Sequence, residues 1–262
     1  MSHPNHMRKS TGQTHKPTVA VIVFPGTNSE LETVDACCDA GMDAQLFWWW
    51  EDLETLRAFD AYVIAGGFAY EDRVRAGAIA AKDPIVRVIK EEAEKGKLVL
   101  GLCNGAQVLA EAGMLGAVAL AHNQPARHFV GRLVEVVADR EPGRCAITDG
   151  LAPGSSMVMA VAHGEGRFTG DAKVFEDLEE RGQIVLRFAG EAPNGAMHRA
   201  AGICNEAGNV LALMPHPERV SWSFNLGFAD PRLREDGDPN RAVGAHAIFA
   251  SMADSLARRG ES

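Results

Sequence analysis

The 262-residue sequence lacks most of the signatures that place a protein at once. No run approaches the roughly 18 consecutive apolar residues of a membrane-spanning helix, so an integral helical membrane protein is excluded. No G-x-x-x-x-G-K-[ST] phosphate loop occurs and no G-x-G-x-x-G fingerprint follows a strand, so nucleotide chemistry is expected elsewhere. Positive charge is in deficit: 26 Lys and Arg against 35 Asp and Glu leave a net −9, without the basic footprint of a nucleic-acid binder. Cysteine is sparse, with five residues scattered along the chain, and the N-terminal region has no apolar core of a secretory signal. An odd set of free thiols suits a reducing, cytoplasmic compartment better than a disulfide framework. No cysteine has metal-ligand spacing, so no zinc site is expected.

What is present is globular: 46% hydrophobic and 23% charged residues, in a length that admits two domains or one large α/β domain. Residues 1–17 are polar and read as a disordered tail. His3, His6 and His15 are open to metal binding there, but a solvated tail is the plainer reading. Residues 18–262 read as a single domain. TVAVIVF (18–24) is a β-branched run of the kind buried on both faces in a parallel sheet. Pro25-Gly26 ends it, and Asn28 or Ser29 is placed to cap a helix to about Ala40, with Gly41 just beyond. Further strands are expected at Ala44–Trp48, Ala61–Ala65 and Lys97–Leu102. Asp83-Pro84 opens a helix that Gly96 closes. The cluster Phe47 to Trp50 is expected mostly in the core, with part of it available to a partner.

The second half reads as short strands at Phe129–Ala138, Met157–Val161, Gln183–Phe188, Ala201–Cys204 and Val210–Leu213. These are expected as antiparallel additions to the same sheet, with one or two parallel strands returning to its core. A surface loop is expected over Phe228–Arg241. An amphipathic helix over Arg241–Ala257 should bury Val243, Ala247, Phe249, Met252 and Leu256. The expected fold is α/β, an open and mostly parallel sheet with helices on both faces and antiparallel additions.

The informative segment is GLCNGAQ (101–107), between an apolar strand and a helical pattern. A cysteine at such a turn is presented on a nucleophile elbow, where Gly101 and Gly105 permit close backbone approach. The helix N-terminus favours the thiolate, and the Asn104 N–H faces any oxyanion formed beside the sulfur. From this heptad alone a buried structural cysteine remains open. A nucleophile needs a base and the base an orienting group. MPHPERV (214–220) supplies both at the end of a strand: His216 and Glu218, with Pro215 and Pro217 stiffening the backbone around them. Cys37, Cys38, Cys145 and Cys204 have no comparable setting.

GLCNGAQ resembles the G-x-C-x-G-x-Q elbow of class I, triad-type glutamine amidotransferases, and PHPER resembles their His-x-Glu segment. FPGTNSE (24–30), AGGFAYEDRVRAGAIA (65–80), AHGEGRF (162–168) and PNG (193–195) narrow the resemblance. With MPHPER, they resemble the glutaminase subunits of phosphoribosylformylglycinamidine synthases over about residues 18–222. The resemblance implies a flavodoxin-like sheet and glutamine hydrolysis through a Cys103 thioester, with His216 as base and Glu218 orienting it. It implies an oxyanion hole from Gly67 and Asn104, and a substrate-positioning role for Gln107. Glu165 has two open readings, a partner for the α-ammonium of glutamine or a solvated loop carboxylate. The resemblance also implies a large synthetase partner, with a small accessory subunit, that accepts ammonia and carries ATP, magnesium and formylglycinamide ribonucleotide. No cofactor is then expected on this chain, and neither nucleic acid nor membrane among its partners.

The sequence departs from the family pattern at Ala65, where Pro is usual, and at Ala69, where Ser is usual. Glu71 replaces the usual Gly, and Ala106 a common aromatic residue. Three rivals remain: a subunit feeding another acceptor, a cysteine hydrolase of the same fold, and a non-catalytic scaffold. The AGGFAYEDRVRAGA string opposes the first, His-Pro-Glu the second, and the intact Cys103, His216 and Glu218 the third.

Overall fold

The computed structural model describes residues 16–139, 142–229 and 242–260. The first half alternates strands and helices: β1 (Thr18–Val23), α1 (Glu30–Asp39), β2 (Asp43–Trp48), α2 (Leu53–Leu56), β3 (Ala61–Ile64), α3 (Pro84–Glu94), β4 (Leu98–Leu102) and α4 (Asn104–Glu111). The second half contributes β5 (Ala119–Ala121), β6 (Val130–Ala138), β7 (Ser156–His163), β8 (Arg167–Thr169) and α5 (Ala172–Glu180). It continues with β9 (Ile184–Phe188), β10 (Ala200–Cys204), β11 (Val210–Leu213), α6 (Ser223–Ala229) and α7 (Ala247–Gly260).

Nine strands form one sheet in the order β2-β1-β3-β4-β11-β10-β9-β6-β7, while β5 and β8 pair separately. The pairings β2 to β11 along that order are parallel, and those from β11 to β7 are antiparallel. Among the described residues, β11 is thus the one strand of the second half that returns in parallel to the core, against β4. β3, β4 and β11 are buried along their whole lengths, as unbroken apolar runs require. β7 alternates buried and half-buried residues instead.

Helix boundaries follow local chemistry. Asp83 caps α3 by accepting from the Ile85 N–H at 3.1 Å, with Pro84 in the first turn and Gly96 at φ +99° just past the end. Ser29 precedes α1 but does not cap it. Its hydroxyl accepts instead from the Gly66 N–H at 2.9 Å, just past the end of β3. α5 was not anticipated, although Asp171 caps it at Lys173 N and Phe175 and Leu178 form its buried stripe. The final helix starts at Ala247 after a 3₁₀ turn over Gly244–His246, later than expected, and runs on to Gly260. Phe249, Met252 and Leu256 are buried as expected, whereas Val243 and Ala247 are only half-buried.

The aromatic cluster divides differently from the expectation. Only Phe47 is core; Trp48, Trp49 and Trp50 are exposed, because β2 is the sheet edge and the last two lie beyond it. The tail to residue 15 and most of the 228–241 loop lie outside the described residues, and Phe228 and Ala229 belong to α6. No helix among the described residues is long and apolar enough to cross a membrane.

Candidate active site

The carboxyl ends of β1, β3, β4 and β11 converge, which is where open parallel sheets place their ligands. Cys103 stands between the last residue of β4 and the first of α4 at φ +48°, ψ −100°, a conformation that side chains adopt only when the surroundings enforce it. The enforcement is local. Cys103 N donates to Leu213 O of β11 at 2.8 Å, and its carbonyl accepts from Gln107 N at 3.1 Å. α4 sits so close on β3 that a Cβ at Gly105 would lie 2.0 Å from Ile64 O.

His216 and Glu218 follow β11 and are both buried. Nδ1 of His216 donates to Oε1 of Glu218 at 2.6 Å, and the ring lies close enough to Cys103 to feel its sulfur electrostatically. The backbone holds this ring from two sides. His216 N donates to Ala160 O of β7 at 2.7 Å, and a Cβ at Gly66 would lie 2.7 Å from His216 Cε1. Burial alone would push the imidazole down; the Glu218 carboxylate and the Cys103 sulfur outweigh it and hold His216 above its ordinary value. The Cys103 sulfur also approaches Ala162 O at 4.0 Å.

A cleft of about 240 Å³ opens in front of the sulfur, lined by Gly67, Asp72, Gln107, His163 and Glu165 among others. Gly67 has φ +152°, and Gly26, Thr27 and Asn28 press on it where a Cβ would stand. Phe68 N donates to Gly26 O and Asn28 N to Gly66 O, so the flanking residues carry this pairing and Gly67's own N–H turns away from it. Gln107 is fixed by both ends: Nε2 donates to Glu165 O at 2.8 Å, and Oε1 accepts from Asn104 Nδ2 at 2.8 Å. Glu165 Oε1 lies 3.5 Å from His122 Nδ1.

Two cleft residues escaped the sequence reading. Asp72 arrives on a turn in which Tyr70, Glu71 and Asp72 all have positive φ, so Glu71 occupies a left-handed position where the family usually has Gly. Burial, then the Glu165 charge, pushes the Asp72 carboxyl up to about 6, against a hydrogen bond from Asn104. His163 ends β7, and burial followed by the neighbouring His216 pushes it down to about 4. Only the quoted strings AHGEGRF and AGGFAYEDRVRAGAIA signalled His163 and Asp72, and neither string assigned them a role. A larger hollow of about 700 Å³, lined by Asp60, Lys97 and Arg259 among others, lies at the amino ends of β3 and β4, opposite the sulfur. Among the described residues no group of three or more His, Cys, Asp or Glu is arranged for a metal ion.

The domain family described as the CobB/CobQ-like glutamine amidotransferase domain matches residues 16–250. The phosphoribosylformylglycinamidine synthase subunit PurQ of Methanothrix thermoacetophila is 41% identical over 250 residues, 86% of this chain and 94% of its own. The chain belongs to this family of glutamine amidotransferases. The PurQ subunit of a Nostoc species is 43% identical over 201 residues, covering 77% of this chain and 88% of that one. Among solved structures, a chain of PurLQS from Thermotoga maritima superposes with a TM-score of 0.74 at 30% identity. That match covers 92% of this chain and 100% of the other. The amidotransferase assignment and the α/β fold expected from the motifs are therefore both met.

Proposed function

We propose that the chain is the glutaminase subunit of a phosphoribosylformylglycinamidine synthase, with Cys103 as nucleophile, His216 as general base and acid, and Glu218 as the group that orients it. His216 takes the thiol proton as sulfur adds to the side-chain amide carbon of glutamine, and the carbonyl electron pair moves onto oxygen. The N–H groups of Gly67 and Asn104 hold that oxyanion, each contributing about 3–4 kcal/mol. Collapse breaks the carbon–nitrogen bond, and His216 returns the proton to the departing ammonia. Water, deprotonated by His216, then cleaves the thioester, and the proton returns to sulfur as glutamate leaves. Gln107 and Glu165 position the substrate. Charged His216 against buried Glu218 stabilises the imidazolium form this cycle passes through.

The observation that carries this reading is the Cys103–His216–Glu218 relay, buried and fixed at the ends of two adjacent parallel strands. Ammonia passes to a large synthetase partner, assisted by a small accessory subunit, on which ATP and magnesium serve the conversion of formylglycinamide ribonucleotide to its amidine in purine biosynthesis. Residues 18–262 act as one glutaminase domain. Five free cysteines suit a cytoplasmic setting. In the reconstituted complex, Cys103→Ala should lower glutamine-dependent synthesis by about 10⁴-fold or more while synthesis from added ammonium salts persists. Loss of both activities together would point to a folding or docking role and overturn the assignment.

A further inference from the structure

The segment FPGTNSE (24–30) has no part in the thioester chemistry, yet it is bonded to the turn that holds Gly67. Ser29 stands where a serine ordinarily caps a helix, but its hydroxyl makes no bond to the first turn of α1. It accepts from Gly66 N at 2.9 Å and lies 3.5 Å from Gly66 O. Ser29 is fully buried, and its own backbone is fixed by the helix: Ser29 O accepts from Thr33 N at 3.1 Å and from Thr33 Oγ1 at 2.7 Å.

These bonds fix both peptide planes that meet at Gly66. The Ser29 hydroxyl holds the preceding plane by its N–H. The following plane is held by its carbonyl, since Gly66 O accepts from Asn28 N at 3.0 Å and from Ser29 N at 3.3 Å. The Gly66–Gly67 peptide is trans, so its C=O and N–H point in opposite directions. A carbonyl pinned toward residues 28 and 29 therefore aims the Gly67 N–H away from them, and Gly67 lines the cleft that holds Cys103. Gly66 has little room to move. A Cβ there would stand 3.0 Å from Ser29 Oγ and 2.7 Å from His216 Cε1, so the residue is packed between the hydroxyl and the imidazole.

We propose that Ser29 is a positioning residue of the glutaminase site, its hydroxyl acting through Gly66 to hold the Gly67 N–H where the oxyanion forms. This rests on the glutaminase reading above. Ser29 does not line the cleft, so its effect reaches the reaction only through that amide. A misdirected amide weakens the transition state, in which charge develops on oxygen, more than it weakens the ground state, whose carbonyl is neutral.

The test uses the assembled synthase and compares two reactions of the Cys103 sulfur. Addition to the glutamine amide makes an oxyanion; displacement of iodide from iodoacetamide does not. Ser29→Ala should lower kcat about 10- to 10²-fold, short of the roughly 10²- to 10³-fold cost of losing a donor outright, with the KM for glutamine within about threefold. Alkylation by iodoacetamide, read at the Cys103 peptide by mass spectrometry, should keep its rate within about twofold, as should inhibition by L-glutamate its strength. Ser29→Thr, which keeps the hydroxyl, should recover most of the loss. An unmoved kcat would overturn the proposal, and so would alkylation slowing in step with kcat, which would place the defect in the triad. A wild-type complex that turns over no glutamine would overturn the glutaminase reading instead.

Discussion

The parallel and antiparallel halves of the sheet treat a histidine in opposite ways. His216, at the end of parallel β11, is buried against Glu218 and held above its ordinary value. His163, at the end of antiparallel β7, is buried without a partner and pushed down to about 4. Burial disfavours charge at both sites, so the difference lies in what the neighbouring chain supplies. The Pro-flanked turn after β11 returns a carboxylate two residues on. The turn after β7 also brings a carboxylate two residues on, Glu165, but that group lies by His122 and leaves the His163 imidazole unpartnered in the cleft. The parallel half holds a charged, pre-oriented imidazole; the antiparallel half holds a neutral one on the cleft wall.

Glu218→Gln tests this division most severely. It should lower kcat by about 10³- to 10⁴-fold with little change in KM, measured as glutamine turnover by the complex. A change mainly in KM would erase the contrast between the two halves.

His163→Leu sharpens it through pH. Because His163 is pushed down in the folded protein, its stability contribution is fully present above the unfolded value of about 6.5 and is lost as pH falls toward 4. The loss is about 3 kcal/mol at most. Urea unfolding between pH 4 and 8 should show a flatter acid limb for His163→Leu than for the wild type. The stabilisation from His216 has the opposite sign but is lost only as pH rises above about 6.5 toward its raised value, so it lies outside the acid limb. Identical acid limbs would mean that His163 is not held neutral.

The smallest effect is expected at Glu71. Glu71→Gly should stabilise the protein by about 1 kcal/mol, read as a rise in the urea midpoint, since glycine enters the left-handed region freely. A lower midpoint would show that contacts of the Glu71 side chain, such as its pair with Arg73, outweigh the strain.

The two halves also differed in how much the sequence disclosed. β1, β3 and β4 were legible because strands buried on both faces read as unbroken apolar runs, and Cys103, His216 and Glu218 were legible because Gly and Pro punctuate the ends of such strands. α5 was overlooked despite its Asp171 cap, and β5 and β8 are three residues each, too short for any periodicity. Asp72 was visible only as part of the string AGGFAYEDRVRAGAIA, with no role attached to it. Its place depends on Asn104, 32 residues away, and on a turn that the side chains of Tyr70 and Glu71 would not choose for themselves. The Trp48–Trp50 cluster was misjudged because composition reports hydrophobicity but not which strand is the edge.

β7 is the last strand in the sheet order, yet its Ala160 carbonyl accepts from His216 N and its Ala162 carbonyl faces the Cys103 sulfur. Carbonyls two residues apart on a strand share an edge and are separated by about 6.8 Å. That stretch of backbone therefore works as a gauge block, setting the gap between base and nucleophile from outside the strands that bear them. Insertions or deletions in the chain before Ser156 leave the gauge intact, whereas one residue added between Ala160 and Ala162 would reset it. Length variation compatible with activity should then collect on the approach to this strand and stop at its midpoint.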